Sequence, residues 1–249
     1  MIDLHSHILP GIDDGPPETA ASVKMLECAK AAGIEKLAAT SHYSTRCREA
    51  YPALFREIEE HARRIGIELL RGCEYSLIDF AELDLTGLIT LGGSRYVLFD
   101  LEQVFIPASM FELLFKVKLA GYRPVIAHPE RMVEEDEFPH FLAKLMENGI
   151  YIQVNSGSLL GCYGRTARRN ALLMLDRGCC HLIANDAHNR QAFRNREWRK
   201  FLVRRYGEEN TRLLSEINPG HLLTNRELQG MERQIGWFAG LLCRLPFRR

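Results

Sequence analysis

Short apolar runs alternate along the chain with longer stretches in which apolar residues recur every three or four positions. The runs are four to seven residues long and rich in Val, Ile and Leu, a pattern typical of strands buried on both faces. The pattern predicts seven strands, over residues 2–5, 36–41, 68–74, 96–100, 125–128, 151–155 and 181–186.

The intervening stretches predict amphipathic helices, and several of them end at a glycine, the usual residue after a helix. The helices are expected over residues 20–32, 51–65, 110–120, 138–148 and 166–177. Strict alternation of strands and helices favours a parallel sheet with helices outside it. The predicted fold is α/β, a distorted (β/α)7 barrel formed by residues 1–230 as a single domain.

Residues 231–249 form a separate tail in this prediction, because they are apolar and end in basic residues. Packing against the barrel and a weak contact with a membrane surface or partner both agree with that composition.

Overall charge and composition narrow the class of protein. Lys plus Arg and Asp plus Glu both total 32, so no excess of positive charge indicates nucleic acid as a partner. No apolar run approaches the roughly 20 residues of a transmembrane helix. Seven cysteines, without a Cys-x-x-Cys pair or a secretory signal, predict a reduced cytoplasmic protein.

The clearest chemical signal is His5-Ser-His7 at the end of the first strand, followed by Asp13 and Asp14 in a turn. Successive side chains in a strand point to opposite faces, so His5 and His7 share one face. Imidazole is the commonest metal ligand, and a nearby carboxylate suits a hard divalent cation. The pattern therefore predicts a metal site.

Further His, Asp and Glu residues follow the other strands, and the carboxyl ends of parallel strands share one rim. Ionisable side chains there are costly to bury without partners, so a shared site for two or three divalent ions is expected. Manganese, iron or zinc suits these N and O donors, with manganese preferred. The nine predicted ligands are His5, His7, Asp14, His42, Glu74, Asp100, His128, Asp186 and His188.

Several motifs resemble those of the polymerase and histidinol phosphatase (PHP) superfamily, and more narrowly its bacterial protein-tyrosine phosphatases linked to capsule and exopolysaccharide synthesis. The resemblance runs from residue 1 to about residue 225 and implies a TIM-like barrel with up to three metal ions. It is carried by His5-x-His7, Asp13-Asp14-Gly15-Pro16, Thr40-Ser41-His42, Gly72-x-Glu74, His128-Pro-Glu-Arg131, Gln153-Val-Asn155-Ser156 and Asp186-x-His188-Asn189.

The resemblance implies three ligand sets: His5, His7, Glu74 and Asp186; Glu74 again with Asp100 and His128; and Asp14 with His42 and His188. Position 100 is Asp where the subfamily typically has Glu. The shorter side chain is expected to weaken or reposition one ion, unless Glu102 assists in binding it. Asp14 rather than Asp13 is assigned by motif position alone.

Arginines against the phosphate are also implied. Arg131 matches the arginine of the His-Pro-Glu-Arg motif, and both Arg190 and Arg194 qualify as a second one, although neither has the expected spacing. The implied substrate is a phosphotyrosine protein, the tyrosine-rich tail of a membrane-bound bacterial tyrosine kinase that controls polysaccharide chain length.

Other interpretations remain. Histidinol-phosphate phosphatase shares most of these ligands. A cysteine-dependent phosphatase would use a Cys-x5-Arg loop, which residues 162–168 match without the glycine-rich cradle. Binuclear amidohydrolases usually bridge their metals with a lysine on strand four, and residues 96–100 contain none. Barrel nucleases lack an equivalent of the Asp14 and His42 pair. A regulatory binding protein without activity is a further alternative.

Overall fold

The computed structural model describes residues 1–77, 87–101, 109–131, 137–194 and 197–231. Each predicted apolar run contains a strand, which confirms the α/β class. The strands are β1 (Ile2–Asp3), β2 (Lys36–Ala39), β3 (Glu68–Arg71), β4 (Glu74–Ser76), β5 (Tyr96–Asp100), β6 (Arg123–Ala127), β7 (Tyr151–Asn155) and β8 (Leu182–Ala184).

All strand pairs in the described residues are parallel and follow chain order. They form two sheets, β1-β2-β3 and β4-β5-β6-β7-β8. Single bridges join the sheets at both seams, between Ser6 and Ala187 and between His42 and Glu74. The order is that of the predicted barrel, but the strands do not form one continuous sheet.

The predicted third strand, 68–74, differs most from the structure, because it divides at Gly72-Cys73 into β3 and β4. A Cβ on Gly72 would lie 2.7 Å from Thr40 Cγ2 and 3.1 Å from Leu91 Cδ2. The backbone therefore passes so close to its neighbours that only glycine fits. This crossing moves Glu74 to the start of a strand of the second sheet.

The predicted helices are all present among the described residues. The helix α2 begins six residues before the prediction because the Ser44 side chain accepts a hydrogen bond from Cys47 N, a standard helix cap. The helices are α1 (Thr19–Ala31), α2 (Thr45–Ile65), α3 (Ser109–Leu119), α4 (Phe138–Glu147), α5 (Ser156–Leu159), α6 (Gly164–Asp176), α7 (Arg190–Arg194), α8 (Glu197–Arg212) and α9 (Asn218–Leu223).

The strands other than β3, whose Glu68 and Arg71 are exposed, are largely buried on both faces, as their apolar sequences indicate. In β5, Tyr96 and Leu98 belong to a smaller apolar cluster with residues such as Val125 and Leu182. Val97 and Phe99 belong instead to the larger cluster that includes the helices. This alternation leaves the carboxyl ends of the strands as the edge where polar side chains meet.

The end of the described chain packs on this body. Leu228 and Met231 are both buried. Residues 232–249, most of the predicted tail, lie outside the described residues, so the division at 230 and 231 stays a prediction. None of the described helices is apolar over enough residues to cross a membrane.

A buried histidine away from the carboxyl ends makes the stability of the fold sensitive to acid. His181 is 6% exposed, and its Nδ1 accepts a hydrogen bond of 3.2 Å from Ile152 N. Burial lowers the pKa of His181 from its ordinary 6.5 to about 4. Between these values the unfolded chain binds the proton more readily, so stability is lost as the pH falls from 7 towards 4.

His181→Gln keeps an acceptor for Ile152 N but cannot titrate. The difference in the free energy of unfolding between the native protein and this variant is therefore expected to fall by about 2 kcal/mol from pH 7 to pH 5. Urea unfolding of both proteins in the presence of chelator measures this difference. The contributions of the other titrating groups are the same in both proteins and cancel in the difference. Parallel pH profiles of the two proteins would contradict the assignment.

Candidate metal centre

The predicted ligands come together at the carboxyl ends of the strands. His5 and His7 follow β1, His42 follows β2, His128 follows β6, and Asp186 and His188 follow β8. Glu74 opens β4 and Asp100 ends β5. Three groups have potential ligand atoms within 4.8 Å of one another: His5, Glu74 and His128; His5, His7 and Asp186; and His7, Asp14, His42 and His188.

At the centre, two imidazoles and two carboxylates converge. His5 Nε2 lies 3.2 Å from Glu74 Oε2 and 3.3 Å from Asp186 Oδ1. His7 Nε2 lies 3.3 Å from each of the same two oxygens and from His5 Nε2. Ligands held at about 2.0 Å around a tetrahedral metal ion are about 3.3 Å apart. The two imidazole nitrogens therefore have the spacing of metal ligands, both to each other and to each of the two carboxylate oxygens.

Neighbouring side chains orient both imidazoles. His5 Nδ1 lies 2.7 Å from Gln153 Oε1, and His7 Nδ1 lies 2.8 Å from Asp13 Oδ2. Each of these oxygens accepts an N–H, which leaves the Nε2 lone pair for a metal ion. Asp13 also accepts from the backbone N–H groups of His42 and Gly15.

The other two groups extend the centre to either side. Glu74 Oε1 lies 3.1 Å from His128 Nε2, and Asp100 Oδ1 lies 4.0 Å from His128 Nδ1. On the opposite side, Asp14 Oδ1 lies 3.2 Å from His188 Nε2 and 3.7 Å from His42 Nε2. The Asp14 side chain is 63% exposed, so this third group opens to solvent.

The charges of the centre shift the pKa of its members strongly. Burial opposes protonation of His5, but the carboxylates of Glu74 and Asp186 outweigh it and raise its pKa to about 9. Burial likewise favours the neutral forms of Glu74 and Asp186, yet nearby histidines hold the pKa of both carboxyls below their ordinary range. Glu74 Oε2 and Asp186 Oδ1 are buried and make no hydrogen bond. Buried carboxylate oxygens without a hydrogen-bond donor are suited to binding a cation.

The backbone is strained at two of the candidate ligands. His128 has φ of 33° and Asp186 has φ of 49°, values that non-glycine residues rarely adopt. Such conformations persist only where the surroundings enforce them, and they cluster at functional sites. Here they turn two side chains into the centre at the points where β6 and β8 end.

Arg131, one of the three predicted arginines, reaches the centre. Its Nη1 donates to Asp186 Oδ2 at 3.0 Å, and its guanidinium lies over the ring of Tyr163. Arg190 is exposed at the start of α7. Arg194 ends that helix, and its side chain lies outside the described part of the structure.

Two amides and an aromatic residue complete the site beyond the predicted set. Asn155 Nδ2 donates to Asp186 Oδ2 at 2.9 Å, and Gln153 holds His5 as described above. Both amides stand at the end of a predicted strand, at the same rim as the predicted ligands. That position is the sequence signal by which they could have been included in the site. Nothing in the sequence distinguished Tyr163, which comes from the loop between α5 and α6.

The fold is parallel α/β, and imidazoles and carboxylates cluster at the carboxyl ends of its strands. This combination is typical of α/β proteins that bind divalent metal ions at that edge. The family model for capsular polysaccharide synthesis, CpsB/CapC, matches residues 1–224, and the chain belongs to this family. The resemblance expected from the motifs is thereby confirmed.

Individual relatives agree with this assignment. Tyrosine-protein phosphatase YwqE of Bacillus subtilis is 34% identical, over 92% of this chain and 93% of its own. Putative tyrosine-protein phosphatase CapC of Staphylococcus aureus is 30% identical, over 97% of this chain and 100% of its own. One of the crystal structures of YwqE from Bacillus subtilis and CpsB from Streptococcus pneumoniae, metal-dependent tyrosine phosphatases, matches with a TM-score of 0.80 and 32% identity. The match covers 94% of this chain and 100% of that one.

Proposed function

We propose that this protein is a metal-dependent protein-tyrosine phosphatase of capsule or exopolysaccharide synthesis. The observation that carries the proposal is the central group of His5, His7, Glu74 and Asp186. Its two imidazole Nε2 atoms lie 3.3 Å apart, and each lies 3.2–3.3 Å from both Glu74 Oε2 and Asp186 Oδ1. Relatives named as tyrosine phosphatases over nearly the whole chain support the choice of substrate.

The residues of the centre would hold two or three divalent ions, with manganese preferred over iron or zinc. Glu74 would be shared between ions because its two oxygens face different histidines. The proposed ligands are His5, His7, Asp14, His42, Glu74, Asp100, His128, Asp186 and His188. Asp13, which is already engaged with His7, would orient that ligand rather than bind an ion.

When bound, the ions lower the pKa of a water molecule and neutralise charge on the phosphate. Arg131 would bind the non-bridging phosphate oxygens with the donors that Asp186 does not use, assisted by Arg190 or Arg194. The leaving group is a phenolate, whose parent acid has a pKa of about 10. A phenolate can leave without being protonated more readily than an alkoxide can, so no residue is assigned as a general acid.

The proposed substrate is the phosphotyrosine tail of a membrane-bound bacterial tyrosine kinase, and the proposed location is the cytoplasm. No disulfide joins any two of the six cysteines within the described residues, which agrees with a reducing compartment. The capsule-synthesis family supports a phosphoprotein of that pathway as the substrate.

The test is hydrolysis of a phosphotyrosine peptide beside histidinol phosphate by protein reloaded with manganese. We expect release of phosphate from the peptide, little from histidinol phosphate, and loss of both after chelation. The reverse preference would keep the metal centre and move the function to histidine biosynthesis. Activity that survives complete removal of metal would contradict both assignments.

A further inference from the structure

Tyr163 lies beside the metal centre with 41% of its surface exposed. Its ring lies under the guanidinium of Arg131, with Cζ 4.4 Å from the ring centroid. Its hydroxyl accepts a hydrogen bond of 3.4 Å from Asn155 Nδ2, which also donates to Asp186. Tyr163 is therefore linked to the centre on two sides and still presents aromatic surface to solvent.

The loop before α6 holds the backbone on both sides of Tyr163. Cys162 N donates to Gly157 O at 3.0 Å, and Gly164 N donates to Gly161 O at 3.1 Å. Gly161 and Gly164 have φ of 79° and 93°, so both require the left-handed conformation that glycine adopts freely. The ring itself is held by its contact with Arg131 and by the hydrogen bond from Asn155.

Gly157 makes room for the ring. A Cβ at this position would lie 2.8 Å from Tyr163 Cε2, although the backbone conformation of Gly157 is one that alanine adopts. The lack of a side chain at 157 is therefore explained by the ring and not by the backbone.

We propose that Tyr163 is the residue that recognises the aromatic ring of phosphotyrosine, an inference that rests on the proposed function. Arg131 connects the metal centre with this ring, because its guanidinium contacts both Asp186 and Tyr163. A phosphate bound at the centre places the attached aryl group next to the exposed ring. Aromatic pairs prefer offset or edge-to-face packing and add affinity beyond the buried area.

If Tyr163 has only a structural role, its loss is expected to affect ligand binding differently. If the ring served only to hold Arg131, its loss would weaken every phosphate-like ligand to the same extent. If the ring contacts the substrate, its loss weakens aryl ligands selectively. The ratio of affinities for an aryl and an alkyl ligand with the same anionic head separates the two roles.

Calorimetric titration of the manganese-loaded protein with phenylphosphonate and methylphosphonate measures that ratio without any need for catalysis. Tyr163→Ala is expected to weaken phenylphosphonate about five- to tenfold and to leave methylphosphonate within about twofold. Tyr163→Phe keeps the ring and should bind both as the native protein does. Gly157→Ala, which displaces the ring while leaving its chemistry intact, should weaken phenylphosphonate in the same direction.

Equal weakening of both ligands by Tyr163→Ala, or no change in either, would overturn the proposal. Loss of preference in Tyr163→Phe would assign the effect to the hydroxyl and would also overturn it. Native protein that fails to hydrolyse a phosphotyrosine peptide would refute the proposed function instead, while the binding ratio would still report on the aryl site.

Discussion

Glu74→Gln is expected to lower kcat/KM for a phosphotyrosine peptide by at least about 10³-fold, because partners that only orient metal ligands already cost about 10- to 100-fold when removed. The two oxygens of Glu74 face four imidazoles: Oε2 lies within 3.3 Å of nitrogens of His5, His7 and His42, and Oε1 lies 3.1 Å from His128. Glutamine keeps the shape, but it removes the negative charge and replaces one oxygen with an N–H donor.

The same variant should bind less metal, which elemental analysis after manganese loading and desalting would show. Glu60→Gln is the matched control, since Glu60 forms an exposed pair with Arg64 on α2 and belongs to none of the candidate metal groups among the described residues. Exposed pairs of this kind contribute little to stability, so this control should keep its activity and metal content.

Thermal unfolding in chelator establishes that Glu74→Gln folds. If it does not, Glu74→Asp, which keeps the charge and shortens the reach, replaces it in the same measurements. Full activity with full metal content in a folded Glu74 variant would exclude this carboxylate as a shared ligand.

The cluster of polar side chains at the carboxyl ends of the strands could be predicted from the sequence, because each strand is a continuous apolar run that stops at a polar residue. His5, His128 and Asp186 are visible in this way without any knowledge of pairing. The division of the third strand was not visible, because it depends on Gly72 meeting Leu91, which lies 19 positions further along the chain. Local pattern reports burial, whereas such an approach depends on tertiary packing.

The orientation of the predicted ligands could also not be predicted from the sequence. Gln153 and His5 are 148 positions apart, and an amide at a strand end does not indicate which imidazole it will meet. Asp13 and Asp14 are adjacent and chemically equivalent, so motif position was the only signal that separated them in the sequence, and the geometry is a second, independent one. Asp13 faces His7 Nδ1 at 2.8 Å, and Asp14 faces His188 Nε2 at 3.2 Å.

Arg131→Ala is expected to lower kcat/KM for the same peptide by about 10²- to 10³-fold, the usual cost of removing one donor to a developing oxyanion. Its bond to Asp186 uses one N–H group, so other donors of the guanidinium remain for the phosphate. Arg131→Lys restores the charge but not the planar fork, so it should recover less than about tenfold of the loss.

Arg131 has two possible ways to act, and the measurement must separate them. If it acts only by holding Asp186, the variant should lose metal, and excess manganese should restore its activity. If it binds phosphate, metal content should stay unchanged while inhibition by inorganic phosphate weakens. We expect the second result, because Asn155 also donates to Asp186 and would hold that carboxylate without Arg131. Arg177→Ala, at an exposed position after α6, is the control for loss of a positive charge alone.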